Sequence, residues 1–216
     1  MQDKKVFSYN SDIKKTAYMN WRMELHSAEH NLQKIGNGFL FAAEYLLQNA
    51  LESNQDKRAD ELIFPILYSI NHGIEVYLKA IIRLIEVLVS GKANNHNTHD
   101  ILQLFREMKA LIQRKEVKTA GLNASLCSLS KYIEELSSKV ADANGNPRMD
   151  FARYPFNSEG MPYFYVSLSN IPVDMEYLLE QLQKIRDSLS SLYIMYSVEL
   201  EQQQEHMAEM QENFED

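Results

Sequence analysis

Six histidines, one cysteine and a periodic run of charged residues carry most of the chemistry that this 216-residue chain can offer. His26 and His30 stand four apart with Glu29 between them, and His96 and His99 flank a turn rich in asparagine. Two imidazoles at that spacing share one helix face and could face a zinc ion. The first pair lacks a third ligand and the His-Glu-x-x-His order of a zinc protease, so loop and cap hydrogen bonds are expected to occupy both pairs. No metal and no other cofactor is expected. Cys127 sits among Leu126, Leu129 and Ile133 on a helical pattern, and a small packed side chain is expected there rather than a nucleophile. Neither Gly-x-x-x-x-Gly-Lys nor Gly-x-Gly-x-x-Gly occurs, so phosphate-loop chemistry is excluded.

A second set of polar residues is more informative. His72, Glu75, Lys79, Arg83 and Glu86 recur three and four apart, which lines them along one side of a helix. Glu75 four residues before Lys79 is the favourable order for a helical ion pair. Exposed, such a stripe is an ordinary solvated face. Covered, its charges need partners, and Arg153 is then the candidate to meet Glu75. Near Arg153 and Arg148 cluster Tyr154, Phe156, Tyr163, Phe164 and Tyr165. Aromatic rings beside arginines can stack on single-stranded bases, or they can fasten a loop onto the body of the protein.

These residues need elements to position them, and the hydrophobic spacing predicts helices throughout. A first helix is expected after Ser11-Asp12, with Ile13, Ala17, Trp21, Leu25, Ala28 and Leu32 as its buried stripe, interrupted or bent at Gly36-Asn37-Gly38. A second follows Phe39, Ala43, Leu46, Leu47 and Ala50. The strongest pattern runs from Ile63 through Ile70, Ile74, Tyr77, Leu78 and Ile81 to Leu88, with Pro65 in the first turn and Gly91 as terminator. Thr98 is expected to cap the next helix, with Asp100 in its first turn and Ile101, Leu104, Phe105, Met108, Leu111 and Ile112 inside. Another helix is expected over 119–141 and a last one from about 174, with Leu178, Leu182, Ile185, Leu189, Leu192 and Tyr196 buried. Between them, 142–172 holds four of the five prolines and no helical period, and its expected content is a short hairpin with a turn at Asn157-Ser158-Glu159-Gly160. The fold class that follows is all-α, a bundle of five or six helices with one long insertion.

Composition sets the outer limits. Hydrophobic residues make up 45% and charged residues 24%, ordinary for a globular chain of one domain. The net charge of -8 is concentrated at the end, where Glu199, Glu201, Glu205, Glu209, Glu212, Glu215 and Asp216 occur without a Lys or Arg. The domain is therefore read as 1–198, nearly neutral, with an acidic tail over 199–216, and neither net charge nor a basic block decides for or against nucleic acid. A single cysteine fits a reducing compartment. Nothing resembles a secretory leader behind Met1-Gln2-Asp3-Lys4-Lys5, and the apolar run at 62–74 is too short and polar to span a bilayer, so a cytoplasmic protein without membrane contact is expected.

Three segments together resemble a known family. Glu75-Val76-Tyr77-Leu78-Lys79-Ala80, then His99-Asp100-Ile101-Leu102, then Arg153-Tyr154-Pro155 are similar to the higher eukaryotes and prokaryotes nucleotide-binding (HEPN) superfamily, over roughly 38–197. The resemblance implies a helical bundle, a homodimer, and a place in a prokaryotic defence or toxin–antitoxin system beside an antitoxin or nucleotidyltransferase partner. It implies RNA or a nucleotide as ligand. Many members cut RNA without a metal, using an arginine followed after four to six residues by histidine. No arginine here has that companion; Arg22 and His26 are one residue too close. Conventional cleavage is therefore not expected. If an unconventional one operates, His72 or His99 with Arg153 are the catalytic candidates, and Glu75, Lys79, Arg83, Asp100, Arg148 and Tyr154 the ligand-binding ones. A regulatory or structural protein-interaction module is the remaining alternative.

Overall fold

In a computed structural model that describes residues 5–115, 121–141 and 149–215, helices account for nearly all the regular structure. They are α1 (Ala28–Glu52), α2 (Ala59–Ser90), α3 (Ile101–Lys115), α4 (Leu122–Ser125), α5 (Cys127–Val140) and α6 (Met175–Glu215). No strand occurs among the described residues, so the all-helical bundle expected from the periodicity is what the chain forms. No helix among them is long and apolar enough to cross a membrane.

α2 is the hub. It packs against α1, α3 and α6, while α5 closes the bundle against α6 and α3. Its 32 residues span about 48 Å at 1.5 Å per residue. Ile66, Ile70, Ile74, Tyr77, Leu78, Ile81 and Ile85 are fully buried along it. Gly91, at φ 74°, ends the helix in the left-handed conformation that glycine adopts without penalty, as expected. The start differs. α2 begins at Ala59, where Asn54 Oδ1 accepts the Ala59 N–H and Asp60 and Glu61 occupy the positive end. Pro65 consequently falls in the second turn and not the first.

Two expectations for the N-terminal third are corrected. Residues 13–25 do not form a helix: Asp12 caps only a three-residue turn at Ile13–Lys15, and Ile13, Trp21 and Leu25 are 69%, 76% and 90% exposed. Short side chains take the backbone groups instead, Asn31 accepting from Glu24 N–H and donating to its carbonyl. A lone helix of this length with no surface to bury against is marginal in water. Ser27 caps α1, and the helix then runs unbroken through Gly36-Asn37-Gly38. Gly36 packs against Gly73 of α2 with no room for a side chain, so packing outweighs the low helix propensity of glycine.

Further along, the expected cap Thr98 is displaced by Asp100, whose Oδ1 accepts from Leu102 and Gln103 N–H; Thr98 Oγ1 accepts from Asp100 N–H one step earlier. The helix expected over 119–141 is divided at Leu126 into α4 and α5, and Cys127 opens α5 exposed rather than packed. The hairpin reduces to one antiparallel bridge, Phe156 to Pro162, because Pro155 and Pro162 lack donors and Asn157 Oδ1 closes the turn locally. Phe151 and Tyr163 plug this segment into the core. α6 does not stop before the acidic residues: it continues as helix to Glu215, with 201–211 wholly exposed.

Candidate functional site

Glu75 occupies the middle of α2, buried, and gathers charged residues from its own helix and from the start of α3. One turn along, Lys79 Nζ donates to Glu75 Oε1 at 2.8 Å. One turn back, His72 Nδ1 lies 3.7 Å from Oε2. The Asp100 cap turns the chain into α3 so that His99 reaches back, with Nδ1 3.0 Å from Glu75 Oε1. Burial alone pushes the Glu75 carboxyl up, but hydrogen bonds and charge from Lys79 and His99 outweigh it and hold the group below the usual carboxylate range. Glu75 is therefore ionised and can only accept. His99 must donate from Nδ1, which leaves Nε2 turned away from the carboxylate on a side chain 79% exposed.

An aromatic stack extends this cluster along α2. Tyr68 lies flat against His72, rings 7° from parallel with centroids 5.8 Å apart, and Phe39 of α1 meets the same imidazole edge-on at 4.5 Å. Arg153 then lies over the Tyr68 ring at 6.0 Å and over Tyr154 at 5.4 Å, with both Arg153 and Tyr154 exposed. Arg153 does not pair with Glu75, contrary to the expectation for a covered stripe. It reaches the same face through Tyr68, which the sequence reading passed over although Tyr68 precedes His72 by one turn.

The other sequence candidates separate. Arg83 turns to a different neighbourhood, donating to the Asn94 carbonyl at 3.0 Å with its Nε 3.6 Å from Glu29. Asp100 is spent as a helix cap, and Arg148 lies outside the described residues. His30 meets the Arg22 carbonyl through Nε2 at 3.1 Å and Glu24 through Nδ1 at 3.4 Å, in the loop before α1. Glu86 forms a second polar centre that the sequence did not announce. It accepts from the Asn94 backbone and side chain and faces His96 Nε2 at 3.1 Å, while His96 Nδ1 lies 3.4 Å from Glu107. Glu86, His96 and Glu107 are the one group of potential metal ligands among the described residues, with the His96 imidazole between the two carboxylates.

No protein-family model matches the chain, and comparison with curated proteins and with solved structures likewise gives no match.

Proposed function

We propose that this chain binds single-stranded RNA or a nucleotide along the α2 face that runs from Arg153 over Tyr68 to His72, Glu75 and His99, as the HEPN resemblance implies. One observation carries the reading: an exposed guanidinium is held against two tyrosine rings at one end of a face whose other end presents an oriented imidazole. A guanidinium recognises phosphate and aromatic rings receive bases. A homodimer and an antitoxin or nucleotidyltransferase partner, in a prokaryotic defence or toxin–antitoxin setting, belong to the same proposal. Exposed Phe41 and Tyr45, one turn apart on α1, are apolar surface that a second copy would cover.

A second reading, metal-independent cleavage of RNA, is favoured by the Glu75–His99 contact. His99 Nε2 would accept the proton of a ribose 2′-hydroxyl as its oxygen bonds to phosphorus and the 5′-oxygen departs, taking a proton from water or an acid. The countervailing feature is Lys79, which already neutralises Glu75 and weakens its hold on a protonated His99.

Labelled single-stranded RNA and transfer RNA, incubated with the protein in chelator, test both. Binding that falls at least tenfold in Arg153→Ala supports the first reading. Cleavage lost in His99→Ala with binding intact adds the second. Equal affinity of wild type and Arg153→Ala, or no binding, overturns the proposal.

A further inference from the structure

Three turns along α2 from Glu75, a polar cluster joins three parts of the chain. Glu86 comes from the second half of α2, His96 from the turn that follows it, and Glu107 from the middle of α3. His96 Nε2 lies 3.1 Å from Glu86 Oε2, and its Nδ1 lies 3.4 Å from Glu107 Oε1. One ligand atom from each residue falls within 4.8 Å of the other two. Two atoms held about 2.1 Å from one ion, at roughly 90–110° to each other, stand about 3.0–3.4 Å apart. Both imidazole–carboxylate separations have that size, and bringing all three residues onto one ring nitrogen takes a movement on the order of half an ångström. Glu107 has the freedom to make it, because its side chain is 36% exposed against 9% for Glu86 and 10% for His96.

The surroundings suit a metal ion. Asn94 donates from its backbone N–H to Glu86 Oε2 at 2.8 Å and from Nδ2 to Oε1 at 2.7 Å, the kind of outer bond that orients a ligating carboxylate. A cavity of about 360 Å³ lies beside it, bordered by Glu86, Asn94 and Glu107 and reaching exposed Ser90 and Arg114. It offers a path from solvent and room for water to complete a coordination shell. Arg83 is turned to Glu29 and the Asn94 carbonyl, and Arg114 stands where solvent screens its charge. Charge selects the occupant. A proton on the imidazole offsets one of the two carboxylates, whereas a divalent cation on the neutral ring offsets both. We propose that Glu86, His96 and Glu107 bind one divalent transition-metal ion, with zinc the best fit to one imidazole and two carboxylates. Calcium and magnesium prefer oxygen alone, and copper(I) prefers sulfur. The ion ties α2 to α3 across the turn that aims His99 at Glu75, three residues beyond His96.

Zinc chloride titrated calorimetrically into chelator-treated, dialysed protein tests this, with the visible absorption of added cobalt as a second readout. The expected result is one zinc per chain and a higher melting temperature in zinc than in chelator. His96→Ala should weaken zinc binding at least tenfold and remove the cobalt bands. Glu107→Gln, at a partly exposed position, should weaken zinc equally yet melt with the wild type in chelator, which separates loss of the site from loss of the fold. His26→Ala with His30→Ala, the other closely spaced pair, should leave zinc affinity unchanged. Absence of zinc binding, equal affinity in wild type and Glu107→Gln, or binding lost only with His26 and His30 overturns the proposal. The titration contains no RNA, so its outcome and that of the Glu75-face reading are independent.

Discussion

Glu75 keeps its charge inside the bundle because Lys79 and His99 compensate for the water it has lost. Replacing it with glutamine leaves Lys79, only 13% exposed, without a counter-charge, and an unsatisfied buried group of that kind costs about 1–3 kcal/mol. The pH dependence follows from the direction of the shift. A carboxyl held low in the folded state contributes stability that is fully present above its unfolded value of about 4.3 and is lost as pH falls through the folded value. Glu86 behaves alike: burial pushes it up, and hydrogen bonds from Asn94 and His96 more than reverse this. Urea midpoints from pH 7 to pH 3 should therefore fall for the wild type, and the gap to Glu75→Gln should narrow as the pH drops. Parallel curves would show that Glu75 is not held low. At this scale the sequence was legible where partners sit on one helix: His72, Glu75 and Lys79 could be read from spacing. His99 could not, since its approach depends on where the Asp100 cap aims α3. The placement of Arg153 on Tyr68 depended in turn on a loop with no periodic signal.

Between α1 and α2 the packing turns on two glycines. A Cβ on Gly73 would stand 2.8 Å from Leu40 Cδ2 and Cγ, side-chain atoms of a residue with no exposure to solvent. On Gly36 it would meet the Gly73 carbonyl and the Tyr77 ring at 3.1 Å. Overpacking of that sort costs about 1–3 kcal/mol, so Gly73→Ala and Gly36→Ala should both lower the urea midpoint. Gly38, two residues on, has nothing within 4 Å, and Gly38→Ala should stabilise by about 0.5–1 kcal/mol through helix propensity alone. A stabilising Gly36→Ala would mean that the helices are farther apart than described. The same pair explains how far elements could be read from sequence. Gly36-Asn37-Gly38 carries the local signature of a break, and only knowledge of Gly73 opposite turns it into a crossing point. α2, with ten or more apolar residues in phase, needed no such partner to be recognised. The run at 13–25 has a similar phase but lacks a surface to fill, and periodicity alone does not report that.

The whole molecule is a buried bundle with two exposed extremities, and stability should be distributed accordingly. α6 is the longest element, yet 201–211 touch no core, whereas Tyr196 is completely buried and Lys115 pairs with Glu199 just beyond it. The acidic residues read from sequence as a tail thus extend a helix whose anchored part ends near residue 200. A chain ending at residue 202 loses Glu205, Glu209, Glu212, Glu215 and Asp216, the side chains of 203–211 are all exposed, and its melting temperature should stay within about 2 °C of the wild type. A chain ending at residue 195 removes the Tyr196 ring from the core, a loss worth about 3–5 kcal/mol and, in a domain of this size, roughly 6–20 °C. Limited trypsin digestion checks the other extremity on the same preparation. Lys5, Lys14, Lys15 and Arg22 stand in exposed chain outside the α-helices, so cleavage there should precede any cut within α2. The shortened protein should then melt with the intact one, because no residue from 5 to 26 is buried. A large drop in melting temperature on losing either 5–26 or 203–216 would show that the extremity is held by contacts this arrangement does not contain.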